Sequence, residues 1–185
     1  MEKKLVQLEN VSYIVLEDDG QFPNNSRCPL LVYAGEIEFQ SDDPAASVEE
    51  LFDRNQWPSA WRNGVFDFHH YHSTAHEVLG VYSGGAKVQL GGEKGIICDI
   101  QKGDAIVIPA GVSHKKLSAT ADFRLVGAYP SGQSPDMCYG TKEERPRVDR
   151  NIGHVSKPKT DPVFGISGPL LDLWIDEESN GGGSR

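Results

Sequence analysis

Apolar and polar positions alternate in short bursts over the first 40 residues. β-like runs at residues 12–17 and 30–33 are separated by the turn-forming stretches Asp18-Asp19-Gly20 and Pro23-Asn24-Asn25-Ser26. These predict edge or entry strands. The pattern then changes period: Val48, Leu51 and Phe52 share one helical face, and Ser47 with Glu50 three residues on has the spacing of a capping box. A short helix is therefore expected here, ended or restarted at Pro58.

From about residue 65 to residue 128, apolar segments of strand length recur between glycine-rich breaks at Ser83-Gly84-Gly85, residues 91–95 and Lys102-Gly103-Asp104. No helical period runs through them, so the expectation is an antiparallel sandwich or barrel. Gly91-Gly92-Glu93-Lys94-Gly95 lacks the helix start and the Lys-Ser or Lys-Thr pair of a phosphate loop and reads as a hairpin. After Tyr129 six prolines break up a polar segment that ends in the apolar patch at residues 170–175. Burying that patch calls for an ordered arm (residues 130–176) packed on the barrel or on a second subunit. Residues 177–185 read as a disordered tail. One domain spanning residues 1–176 is expected, with its core at about 64–129.

Composition narrows the functional classes. The 185 residues carry a net charge of -9, and no basic run is longer than Lys3-Lys4 or Lys115-Lys116, which argues against nucleic acid as a partner. No stretch approaches the length and apolarity of a spanning helix, so no membrane role is expected and the default location is cytoplasmic. Cys28, Cys98 and Cys138 are odd in number, widely spaced and without a CxxC pair, against a disulfide framework or a thiolate zinc site. Cys98, within an apolar run, is expected to be a buried inert thiol.

The chemistry is concentrated in histidine. Five of the six histidines fall between His69 and His114, four of them in the run FHHYHSTAHE. On a strand, His70 and His72 share a face while His69 and Tyr71 point away. A turn at residues 73–75 would bring Glu77 back toward the same interior, with Leu79 and Val81 continuing its apolar face. His114 follows the strand at residues 105–108 and a Pro109-Ala110-Gly111 corner. His76 is the rival ligand: it should face away from Glu77 and would replace His72 only across a bulged turn. His69 and His154 carry no pattern that assigns them a role.

The spacing Gly64-x5-His70-x-His72-x4-Glu77-x6-Gly84 resembles the first motif of the cupin family at every specified position. The second motif is matched by Gly103-x5-Pro109-x-Gly111-x2-His114, departing only where Ser118 stands for the usual Asn. Together they cover residues 64–118, about a third of the chain. The stretch from Asp161 to Leu170, DPVFGISGPL, is similar to the C-terminal arm of the uncharacterised YjlB-like single-domain cupins. The resemblance implies an all-β double-stranded β-helix, or RmlC-like jelly roll, with a short N-terminal helical segment and an extended C-terminal arm. It implies a metal inside one end of the barrel, held by His70, His72, Glu77 and His114, and makes a homodimer the expected assembly.

Such a donor set suits one divalent transition ion, Fe, Mn, Ni or Zn. A small-molecule ligand is the expected partner. Lewis-acid or oxygen chemistry on a small polar or carboxylated molecule follows, with dioxygenase-like oxidoreductase activity ahead of isomerase or decarboxylase activity and of ligand binding without turnover. Lys116 shares strand parity with His114 and is the candidate to meet a ligand carboxylate. No catalytic acid or base is readable; Tyr71, Tyr82 and Tyr129 are candidates by composition alone.

Overall fold

The computed structural model describes residues 4–175, so the expected tail at 177–185 lies outside the described residues. Its ten strands are β1 (Val6–Leu8), β2 (Val11–Leu16), β3 (Asn25–Tyr33), β4 (Trp61–Asn63), β5 (Glu77–Ser83), β6 (Gly85–Leu90), β7 (Ile96–Gln101), β8 (Ala105–Ile108), β9 (His114–Ala119) and β10 (Arg124–Ala128). They form a seven-stranded sheet in the order β1-β2-β3-β8-β5-β10-β4 and a three-stranded sheet in the order β7-β6-β9. All the pairings are antiparallel. The two sheets enclose the jelly-roll core of a double-stranded β-helix, the all-β fold that the motifs imply.

Strand alternation builds two apolar layers from the larger sheet. Leu30, Val32, Leu79, Val81, Ile106 and Leu125 face inward and meet Val88, Leu90 and Ile100 of the smaller sheet. Residues of opposite parity, among them Leu31, Tyr33, Val78, Val107 and Val126, face outward under helix α1 (Pro44–Arg54) and the C-terminal arm. β3 is thus an interior strand covered on both faces, not the edge or entry strand expected from its turn-rich surroundings. Its continuous apolar run Leu30–Tyr33 is what two covered faces require.

The start of α1 also differs from the capping box at Ser47 and Glu50. Asp43 is the N-cap, its Oδ1 accepting from Ala45 N at 3.0 Å and Ala46 N at 3.2 Å, and Pro44 takes the first position. Proline's fixed φ and missing N–H suit that position, and an Asp directly before it supplies the cap. Ser47 lies inside the helix and its Oγ accepts instead from Gln40 N at 3.1 Å. Gln40 belongs to the segment entering α1.

The arm packs on the barrel of its own chain. Beyond β10 it contains α2 (Arg147–His154) and α3 (Pro169–Leu173). Leu170 and Trp174 are buried in the outer layer, and Trp174 Nε1 donates to Pro29 O at 2.8 Å. Fully buried Asp161 ties the arm to the sheet: its carboxylate accepts from Tyr33 Oη at 2.8 Å and from the N–H groups of Val163, Phe164 and Leu170 at 2.8, 3.0 and 3.1 Å. Three donors come from the arm and one from β3, so a single side chain both shapes the DPVFG turn and anchors it.

Candidate metal centre

The two motif halves are clipped together by main chain. His70 N donates to His114 O at 3.3 Å and His114 N to His70 O at 2.9 Å. Gly111 N donates to His72 O at 2.8 Å, so the corner after β8 is pinned to the second histidine. Gly111 itself has φ +93°, and a Cβ there would strike Asn24 O, which is why the corner takes glycine. The segment holding His70 and His72 is joined to β9 by this isolated bridge and is not a regular strand.

His70, His72 and His114 are buried, and a nitrogen from each lies within 4.8 Å of the others. In every case Nδ1 faces a main-chain carbonyl: Phe68 O at 3.4 Å from His70, Val112 O at 3.4 Å from His114, and Asp136 O beside His72. A carbonyl only accepts, so each Nδ1 carries a proton and each Nε2 is the nitrogen turned to the interior. Glu77 Oε2 lies 3.5 Å from His72 Nε2 and 3.3 Å from His114 Nε2. That oxygen is buried and has no hydrogen-bond partner.

A buried carboxylate set against these Nε2 atoms needs positive charge between them, which a proton on His72 supplies in the metal-free site and a bound cation would supply in its place. The donor set therefore fits a divalent ion, as a mixed nitrogen and oxygen set should. Burial, followed by the nearby His114, pushes His70 down to about 3 and keeps it neutral. Burial alone would lower His72 as well, but Glu77 more than reverses this. Burial would likewise raise Glu77, yet His114 and His72 hold it well below the usual carboxylate range.

His76 stands apart from these donors. Its Nδ1 accepts from Ala110 N at 3.0 Å and its ring packs on Trp174 with centroids 4.6 Å apart, on the outer face of the sheet. His69 packs on Phe22 at 5.2 Å, with Glu93 3.4 Å from its Nε2. Lys116 lies beyond the donors on β9, half-buried in a cleft with Arg124 and Phe123 that adjoins the metal cavity through Asn63 and Gly64. Cys98 is partly buried, with burial pushing its thiol up to about 11, so it stays protonated at neutral pH.

The cavity over the donors measures about 150 Å³ and is walled by Trp61, Val65, Phe66, Tyr129 and Met137. Tyr129 is the polar residue that composition alone could not single out. Trp61 Nε1 donates to its Oη at 3.1 Å, and its ring stands edge-on to His72 at 5.7 Å. Tyr71, by contrast, donates its hydroxyl to Glu144 at 2.8 Å. Asp136 was invisible to spacing arguments: its carboxylate accepts from Ser73 N at 2.6 Å and from Thr74 N at 3.3 Å, which fixes the loop whose carbonyl orients His72.

A jelly roll with three imidazoles and a carboxylate converging at one end is the architecture of a cupin. Within that class the chain is 42% identical over 158 residues to the uncharacterized protein YjlB of Bacillus subtilis (strain 168), an overlap of 85% of this chain and 93% of that one. The chain belongs to the YjlB family of cupins. No family model matches it.

Similar solved structures are more distant. Procruciferin, the 11S globulin of Brassica napus, is 18% identical with a TM-score of 0.35 over 60% of this chain, which spans 22% of that protein. The acireductone dioxygenase of Bacillus anthracis, with cadmium in its active centre, is 15% identical with a TM-score of 0.38 over 54% of this chain and 72% of its own. A 3,4-ketoisomerase from Thermoanaerobacterium thermosaccharolyticum is 18% identical with a TM-score of 0.37 over 69% of this chain and 85% of its own.

Proposed function

We propose that this protein is a metal-dependent enzyme acting on a small polar or carboxylated molecule, with dioxygenase-like oxidoreductase chemistry. The observation that carries the proposal is the unpartnered Glu77 Oε2 among three buried imidazoles that present Nε2, at the base of a cavity. A bound divalent ion supplies Lewis acidity or, if redox-active, oxygen chemistry. His70, His72, Glu77 and His114 hold it. Tyr129 offers a hydroxyl to the substrate, and the apolar walls exclude bulk water. Lys116, beside the Asn63–Gly64 boundary, attracts a carboxylate to the entrance.

Elemental analysis of untagged protein, run beside His72→Ala and His76→Ala, tests the centre. One equivalent of Fe, Mn, Ni or Zn is expected in the parent and in His76→Ala, with loss in His72→Ala; retention in His72→Ala overturns the ligand set. Oxygen uptake by iron-loaded protein over a panel of small acids then tests turnover. Binding without uptake would make the chain a ligand carrier. Unchanged binding and turnover in Lys116→Met would remove that residue from the proposal.

The proposal includes a homodimer. β1 is a free edge of the larger sheet, and its Val6 and Leu8 are exposed. Sedimentation at micromolar concentration checks this.

A further inference from the structure

The metal cavity does not end at its walls. Phe66 lines it, stands edge-on to His70 at 5.0 Å, and stacks on Phe68 at 4.9 Å with the rings 18° from parallel. Phe68 in turn meets Tyr139 at 6.1 Å. Phe66, Phe68 and Tyr139 are 46%, 43% and 51% exposed, and Met137 at the cavity wall is 42% exposed. The three rings thus make a continuous shelf leading out of the metal site, with Met137 at the cavity wall. Exposing them costs free energy that a ligand would recover.

Size and charge define that ligand. A volume of about 150 Å³ takes only part of a typical small molecule, since ligand pockets usually hold ~300 Å³ or more. A head group fills the cavity and the remainder must lie outside it, where the shelf is flat and aromatic. Among the described residues, no lysine or arginine lines the cavity. A divalent ion set against Glu77 leaves one formal positive charge, enough for one anionic group. The head needs a hydrogen-bond acceptor as well, because Tyr129 Oη accepts from Trp61 Nε1 and directs its own proton into the site, where Glu77 is its acceptor until an ion engages that carboxylate.

We propose that the cavity and the Phe66–Phe68–Tyr139 shelf form one binding site for a molecule with a singly charged oxygen head and a flat apolar body. Tyr129 donates to the head and the shelf stacks on the body. This rests on the metal reading and names the substrate class for it.

Calorimetric titration of zinc-loaded protein tests the site without turnover. Cinnamate supplies the head and body, acetate the head alone, and fumarate a second charge in place of the body. Cinnamate is expected to bind at least about tenfold more tightly than either, as burial of one ring face allows. Phe68→Ala keeps the carbonyl that faces His70 Nδ1 but removes a ring edge-on to His70 at 5.8 Å, and should remove most of that advantage. Tyr139→Ala, which touches no donor, should remove it in part while leaving zinc content and acetate binding unchanged. Tyr129→Phe should weaken cinnamate and acetate alike by about tenfold, the worth of one hydrogen bond to a charged group.

Zinc uptake with no preference for cinnamate, or a preference that survives both shelf variants, overturns the ligand class and leaves the metal centre standing. Zinc-loaded protein that loses self-association in Phe68→Ala and shows no cinnamate preference assigns the shelf to a second copy of the chain and also overturns it. Failure to take up zinc, with no other transition ion bound, overturns both readings.

Discussion

His72 turns its Nδ1 onto the main-chain carbonyl of Asp136, 64 residues away in sequence, so the second metal-facing imidazole is oriented by the arm and not by the barrel. The Asp136 carboxylate keeps that carbonyl in place through Ser73 and Thr74. Asp136→Ala is expected to lower metal affinity by about 10- to 100-fold, the usual cost of losing an outer hydrogen-bonding partner. Competition with a chromophoric chelator measures it. Asp136→Asn, which keeps an acceptor, should recover most of the loss.

Gly80 on β5 faces the helix and not the metal. A Cβ there would lie 2.7 Å from Val48 Cγ1 and 2.8 Å from Phe52 Cζ, both fully buried. Gly80→Ala should therefore force α1 away from the sheet and cost about 1–3 kcal/mol. Urea unfolding should show it, with metal content unchanged because Glu77 and Leu79 point the other way.

Asp161→Ala removes four hydrogen bonds at once, three of them buried, and leaves Tyr33 Oη and three arm N–H groups without their acceptor. Destabilisation of about 3 kcal/mol or more is expected. Limited proteolysis should cut first within residues 155–170, ahead of any cut in the barrel.

His76 makes acid stability depend on pH. Burial pushes its pKa down to about 3, below its ordinary value of 6.5. Charging it favours the unfolded chain, so its contribution is intact above pH 6.5 and is lost as pH falls toward 3. The slope is at most about 1.4 kcal/mol per pH unit. Metal-free His76→Gln should flatten the acid limb between pH 6 and 4 in chemical denaturation; an unchanged slope would place the titrating group elsewhere.

The strands from β5 to β10 were legible because they follow from local parity and short turns, whereas the grouping of His70, His72 and His114 was legible from the motif spacing, since the segment that carries His70 and His72 is not the regular strand that parity assumed. Glu77, Leu79 and Val81 have to share a face in any regular strand. The interior position of β3 was not legible, since the partner that covers its outer side, the arm, lies more than 120 residues downstream. Helix α2 escaped for a different reason: its apolar positions Val148 and Ile152 are one turn apart but are the only two in eight residues, too few to stand out in a proline-broken segment. Tyr129 and Asp136 act through Trp61 and His72, contacts between segments that no spacing encodes. The Asp43–Pro44 cap could have been read from the dipeptide itself; the more familiar Ser47–Glu50 spacing concealed it.

The reciprocal main-chain bridge between His70 and His114 carries the two motif halves as one piece, because His114 opens β9 and β9 is paired to β6. The two imidazoles, with centroids 4.0 Å apart, thus share one main-chain base. A change that loosens β9 from β6 is felt at both donors together, and neither histidine can be displaced alone.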